Sequence, residues 1–297
     1  MKPTSIIFLI ISLVLVILGF IVTGVAERLG EADDIQLVVD TSGDEESRKF
    51  IYSYSGDNIA KISLGLKNAK VNIIGGAESP YIELINFPDG MYEFSSSNRV
   101  ITVNDNIDFV SLSGIAAIAS NFNGLRGFVN HFKMSKLEKT VNVYLCQEYP
   151  VNVIDCKAVS GEINIENCIS FADYNVTVER GTVTVSNVDT SSSLNIILNE
   201  GSASVDGGNI SMFNATLETG SLTVGANIEQ MKVNIATGDF ICKYPGSLDS
   251  TSLKLFTNVG KITIDGVQHG GYKESTALSE KVIHVNVGAG DIDITSN

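Results

Sequence analysis

Residues 173–185 read DYNVTVERGTVTV, residues 193–205 read SLNIILNEGSASV, and residues 212–224 read MFNATLETGSLTV. In each stretch apolar side chains alternate with polar ones on both sides of a glycine, the period-two pattern of a strand buried on one face. Extended along the chain, the glycines form a column of Gly161, Gly181, Gly201, Gly220, Gly238, Gly260 and Gly290, separated by 20, 20, 19, 18, 22 and 30 residues. Self-similarity at such a period marks stacked repeats.

Two columns of inward side chains accompany the glycines. Two and four residues after them lie Ile163/Ile165, Val183/Val185, Ala203/Val205, Leu222/Val224, Phe240/Cys242, Ile262/Ile264 and Ile292/Ile294. Seven, five and three residues before them lie Ile154/Cys156/Ala158, Tyr174/Val176/Val178, Leu194/Ile196/Leu198 and their counterparts up to Ile283/Val285/Val287. Two strands therefore flank each glycine, which marks a tight corner needing positive φ or close backbone approach.

Because both strands recur in the same order, each is expected to stack on its equivalent in the next repeat, parallel and about 4.8 Å away. The predicted fold is all-β: a right-handed, single-stranded parallel β-helix, or solenoid, with about 20 residues per rung. The alternative is an antiparallel β-sandwich in which each repeat is a hairpin. Six residues before the corners stand Asp155, Asn175, Asn195, Asn214, Lys232, Lys254 and His284, and the three successive Asn have the spacing of an amide ladder. Ordinary surface asparagines would give the same column.

The regular pattern begins near Phe50, with earlier strands expected at Ile62 to Ile74, Tyr81 to Ile85 and Val100 to Val103. Residues 105–136 interrupt it with an apolar insertion, including Phe122, Leu125, Phe128, Val129 and Phe132, read as a flap over the solenoid or a contact with membrane or partner. A second interruption lengthens the interval between Gly260 and Gly290, from His269 onward, and reads as an excursion from the wall.

Upstream, Ser5 to Val25 is an uncharged apolar run long enough to cross a bilayer as a helix. Residues 1–26 are therefore assigned as an uncleaved N-terminal transmembrane anchor, with a cleaved signal peptide as the rival reading. Residues 27–49 form an acidic tether with one short strand expected at Ile35 to Val39, and residues 50–297 form the solenoid. Lys2 and Arg28 flank the span evenly, so charge does not orient it. The short leading tail places the C-terminal domain outside the cytoplasm of a single-pass cell-membrane protein.

The entry into the pattern, Ile62-Ser63-Leu64 followed by Ala69-Lys70-Val71-Asn72-Ile73, resembles the bacterial putative-adhesin family of β-repeat domains of unknown function. Val141-Asn142-Val143-Tyr144-Leu145, Ser160-Gly161-Glu162-Ile163 and Gly290-Asp291-Ile292-Asp293-Ile294 carry the same likeness. The resemblance runs from about residue 55 to the end and implies a membrane-associated or surface-exposed bacterial β-solenoid. Ala69 departs from the pattern by standing where later repeats have Gly.

The net charge of −14 argues against nucleic acid, whose phosphates need a basic face. His131, His269 and His284 occupy unrelated positions, and the residues following the corner glycines never place two acids on adjacent rungs, so no catalytic constellation forms. No cofactor is expected. The candidate metal edge is Glu179, Asn199, Glu200 and Glu218 beside the corners, whose oxygens would face Ca²⁺; Arg180 lies among them, and a solvated acidic edge is the competing reading. Of the four cysteines, Cys156 and Cys242 fall in inward columns, while Cys146 and Cys168 are 22 residues apart, near enough to one rung to raise a disulfide. Asn175, Asn209 and Asn214 head glycosylation sequons relevant only in a eukaryotic secretory host. The expected function is a non-catalytic, surface-exposed adhesion or interaction module with a protein or glycan ligand. The alternative is a cell-envelope sensor or regulator acting through a membrane partner.

Overall fold

The computed structural model describes residues 36–42, 49–55, 59–87, 92–105, 138–277 and 281–296. Period-two alternation gives each arm of a repeat one apolar face, and those faces turn inward. The chain enters through β1 (Gln36–Ser42), β2 (Lys49–Ser55), β3 (Ile59–Ile74), β4 (Tyr81–Ile85), β5 (Glu93–Ser97), β6 (Val100–Asn104) and β7 (Thr140–Tyr144). It continues through β8 (Val151–Glu166), β9 (Ile169–Ser170), β10 (Asp173–Ser186), β11 (Asp189–Thr237), β12 (Phe240–Tyr244) and β13 (Ser252–Val259). The last elements are β14 (Ile262–Ile264), β15 (Val267–His269), β16 (Tyr272–Ser275), β17 (Val282–Ala289) and β18 (Ile292–Ser296). A 3-10 turn at Leu248–Ser250 is the one helical element among the described residues.

The central rungs stack in parallel and in register. Gly161 pairs with Gly181 and Gly181 with Gly201, while Ile154, Tyr174 and Leu194 align in one column. This is a β-solenoid, and the parallel register rules out the hairpin sandwich. Between successive pairs of arms a short third side closes the section, where β9 pairs in parallel with Asp189 and Thr190. The inward columns form one core that fully buries Tyr174, Phe213, Phe240 and Ile154. Each such side chain contributes roughly 1.5–3 kcal/mol.

The corner glycines have φ between 133° and 151°, which L residues rarely adopt. They also approach their neighbours closely: a Cβ on Gly201 would lie 1.8 Å from the Gly181 carbonyl oxygen. Ala69 lacks the positive φ of its counterparts, and its carbonyl receives Gly161 from one side only. On its other side the paired strands end at Asn104 and resume at Thr140, and no corner lies there among the described residues. The Asp105 carboxylate accepts from the Lys67 backbone N–H at 2.6 Å and from Lys139 Nζ at 3.2 Å, so the two ends of the insertion are pinned together. Residues 106–137 themselves, and with them His131, lie outside the described residues, as does the apolar run Ser5 to Val25. No helix among the described residues is long and apolar enough to cross a membrane.

At both ends the stacking order departs from chain order, correcting the expectation that every strand stacks on its successor. Ile62 of β3 pairs with Ile154 on one side and Ile101 of β6 on the other, and Val71 pairs with Ile163 and Val141 of β7. The second rung in the chain is thus outermost. The far end mirrors this: Ile283 of β17 lies between Met231 and Leu253, and Ile292 of β18 between Phe240 and Ile262. The last rung in the chain is therefore second from the end in space.

Antiparallel strands cover what would be open edges at each terminus of the stack. At the near end β5 lies on β6, β4 on β7, β2 on β4, and β1 on β2, so the tether contributes a strand running from Gln36 to Ser42 rather than Ile35 to Val39. At the far end β15 lies on β14 and β16 on β13. The turn Asp265-Gly266, with φ of 48° and 76°, has the two left-handed residues of a tight hairpin. The stretch from Val267 to Ser275 thus caps the outermost rung and is not a loop standing away from the wall.

Candidate functional site

The third side of the solenoid carries a cleft of about 750 Å³. Its position follows from the swapped entry. After β7 the chain must step over the β3 rung to begin β8, and residues 145–150 make that step. Leu145 N–H donates to Ile74 O at 2.8 Å, and Ile59 N–H donates to Pro150 O at 3.1 Å, fixing the bridge at both ends. The cleft runs from this bridge along the short sides of the following rungs, past Cys168 to Ala172, Asp189 to Ser191, Asn209 to Ser211, and Asn227 and Glu229.

Asparagine makes the bends leading into two of these short sides: Asn167 and Asn187 have φ of 55° and 52°, a conformation Asn tolerates better than most residues. Inside, Cys168, Ala172, Val188, Ile210 and Ile228 are buried. Outside, an amide ladder crosses the rungs. Asp189 Oδ1 accepts from the Asn209 backbone N–H at 2.7 Å and from Asn209 Nδ2 at 2.8 Å. Asn227 Nδ2 donates to Asn209 Oδ1 at 2.8 Å, and Lys281 Nζ donates to Asn227 Oδ1 at 3.0 Å. At the lip, Phe171 is 83% exposed and Ile169 is 63% exposed, large apolar groups presented to solvent beside the polar ladder.

The thiols divide by environment. Cys156, Cys168 and Cys242 are buried, and burial pushes their pKa values up to about 12, 11 and 12. Cys146 is half-buried on the bridge, and its thiol donates to Glu78 O at 3.5 Å. All four are free thiols; Cys146 and Cys168 both line the cleft without forming the disulfide that their spacing raised.

The Asn column read from the sequence is a ladder in the structure. Asn195 Nδ2 donates to Asn175 Oδ1 at 2.9 Å, and Asn214 Nδ2 donates to Asn195 Oδ1 at 2.8 Å. A second ladder, not read from the sequence, joins Asn142, Asn72 and Asn164 through bonds of 2.7 and 2.9 Å, and Asn142 donates to the buried Glu83 at 2.6 Å. Its members are out of chain order, so no periodic search aligns them.

Glu179, Asn199, Glu200 and Glu218 stand at exposed corner positions on successive rungs, with Arg180 in register with Glu200. They lie away from the cleft. Among the described residues no group of three or more His, Cys, Asp or Glu side chains is placed to hold a metal ion. His284 sits in the arm column between Lys232 and Lys254, and His269 ends the β15 cap. The cleft was missed in the sequence because its rung sides are too short to alternate; the available signal was Asp189, Asn209 and Asn227, spaced by 20 and 18 residues.

The family model of Toastrack DUF4097 matches residues 44–295, nearly the whole described solenoid with its cap strands apart from β1. The chain belongs to the Toastrack family. None of the curated proteins matches it. Among solved structures, the Toastrack chain is similar to a putative cell adhesion protein from Clostridium sporogenes, at 15% identity and a TM-score of 0.38, over 89% of this chain and 100% of that one. It is also similar to a putative adhesin from Parabacteroides distasonis, at 12% identity and a TM-score of 0.40, over 84% of this chain and 96% of that one.

Proposed function

We propose that this Toastrack protein is a non-catalytic interaction module of the bacterial cell surface, which holds a ligand in the third-side cleft. The observation that carries the reading is the pairing of a roughly 750 Å³ cleft with exposed Phe171 and Ile169 at its lip. Exposed apolar side chains beside a concavity mark contact surfaces. The ionisable groups lining the cleft are Asp189, Glu229, Tyr149, Cys146 and Cys168, and burial keeps the Cys168 thiol protonated. That set supplies no nucleophile paired with a base, which favours binding over turnover. The apolar run Ser5 to Val25 supports a single-pass anchor presenting the solenoid outside the cytoplasm.

The test uses the full chain in lipid nanodiscs, exposed to solubilised cell-envelope material. Retention is expected to fall with Phe171→Ala and to be unchanged with Ile241→Ala, a wall position outside the cleft, and the ligand is expected to elute chemically unchanged. Retention indifferent to Phe171, or a ligand recovered cleaved or modified, would contradict the proposal. Retention of one membrane protein only when residues 1–26 are intact would favour the sensor reading instead.

A further inference from the structure

We infer that the cleft ligand is a neutral or amine-bearing oligosaccharide lying lengthwise along the Asp189–Asn209–Asn227 ladder; this rests on the cleft being the binding site proposed above. Three observations narrow the ligand class.

The first is charge. Asp189 and Glu229 are the acidic side chains among the lining residues, and no Lys or Arg is among them. Lys281 reaches the end of the ladder, where its Nζ donates to the neutral Asn227 Oδ1 and sets one positive charge beside the two carboxylates. A uronate or phosphate polymer would meet two carboxylates offset by a single ammonium at one end. An amine would be attracted.

The second is hydrogen-bonding capacity. Each ladder amide spends one Nδ2 proton on its neighbour, Asn209 on Asp189 and Asn227 on Asn209. Each amide therefore keeps a second donor, and the carboxylate of Asp189 keeps its other oxygen. These spare groups repeat once per rung, about every 4.8 Å. A chain of hydroxyl-bearing rings presents donors and acceptors at a comparable interval. Phe171 at the lip supplies a flat apolar face for the C–H side of a ring.

The third argues against a peptide. An extended peptide gains affinity by adding to an open sheet edge. Beneath the cleft, β9 is two residues long and is paired on one side with Asp189 and Thr190, with Asp189 N–H donating to Cys168 O at 2.8 Å. A peptide backbone would find two residues of edge there, too few for the repeated main-chain bonds of strand addition.

The test is a glycan array, followed by calorimetric titration of the full chain in nanodiscs with cellotetraose, chitotetraose, the de-N-acetylated chitosan tetramer and tetragalacturonate. Neutral or amine-bearing glycans are expected to bind and the uronate is not. Phe171→Ala, at an exposed position where folding is undisturbed, is expected to raise Kd about tenfold, and Asn209→Ala by a similar factor. Ile241→Ala is expected to leave Kd unchanged. Binding of no neutral or amine-bearing glycan, or equal binding of the uronate, overturns the sugar assignment. If envelope retention still depends on Phe171 in that case, the interaction module stands and only its ligand class is wrong. If retention ignores Phe171, both readings fall.

Discussion

The centre of the solenoid and its two ends are built from the same rung but assembled differently. From Asp173 to Tyr244 each rung stacks on the one before it in the chain. At the ends the order is exchanged: β3 lies inside β6 and β7, and β17 and β18 lie inside β13 and β14. The rung's geometry thus fixes how a neighbour sits, not which neighbour it is. The exchange also has consequences. It forces the chain to step across a rung at residues 145–150, and that bridge closes one end of the cleft. It also leaves outermost rungs whose free edges take antiparallel caps, which a plain coil would present to other chains.

The sharpest way to break this contrast is at the corners. Gly201→Ala in the centre and Gly290→Ala near the end are both expected to cost about 3 kcal/mol or more, since each combines positive φ with a Cβ overlap at the next rung's carbonyl. Ala69→Gly is expected to cost only about 0.5–1 kcal/mol, the backbone-entropy penalty, because that corner is not left-handed. Denaturant unfolding of the three variants checks this ordering. A mild Gly290→Ala would mean that the last rung is not enclosed between two others.

Much of the centre was legible because every inward column there alternates strictly around a glycine. Tyr174, Leu194 and Phe213 could be aligned without coordinates, and the Asn175–Asn195–Asn214 ladder followed from the same register. The ends were not legible. Intervals of 22 and 30 residues announce extra chain, but an apolar column looks the same whichever rung covers it. Ile283 meets Met231 and Leu253 equally well, so nothing in the alternation specified the exchange. The third side escaped for a different reason: Cys168, Val188 and Ile210 are single buried positions between bends, recurring at the rung spacing but with no alternation around them to mark a strand.

A smaller effect is expected from the ladders, and it compares centre with end directly. Asn195→Ala removes bonds to Asn175, Asn214 and Ser193, and Asn72→Ala removes bonds to Asn142 and Asn164. Each is expected to destabilise by about 1–2 kcal/mol. Near-zero cost for Asn72→Ala beside a normal cost for Asn195→Ala would place β3 wrongly between its two neighbours.

The thiols give the mildest perturbation. At pH 8 a small alkylating reagent is expected to modify Cys146 on the bridge, leaving Cys156, Cys168 and Cys242 protected until the protein unfolds. Burial raises the Cys156 thiol from 9.0 to about 12, so the folded state holds a proton that the unfolded chain releases earlier. The corresponding stability is complete below about pH 9 and is lost as the pH climbs through that window. Mass spectrometry finding native modification of Cys156 at pH 8 would contradict the closed central core.

The exchanged order of the final rungs is tested most directly by paired cysteines on the outward arm column, in a Cys146→Ser background. Lys232 is in parallel register with His284, and His284 in turn with Lys254. Neighbouring rungs stand about 4.8 Å apart, within disulfide reach, whereas two rungs of separation is not. Lys232→Cys with His284→Cys is predicted to oxidise to a single intramolecular disulfide, and Lys232→Cys with Lys254→Cys is predicted to remain reduced. The reverse outcome would mean that the rungs follow chain order to the end, and the account of the exchanged termini would be wrong.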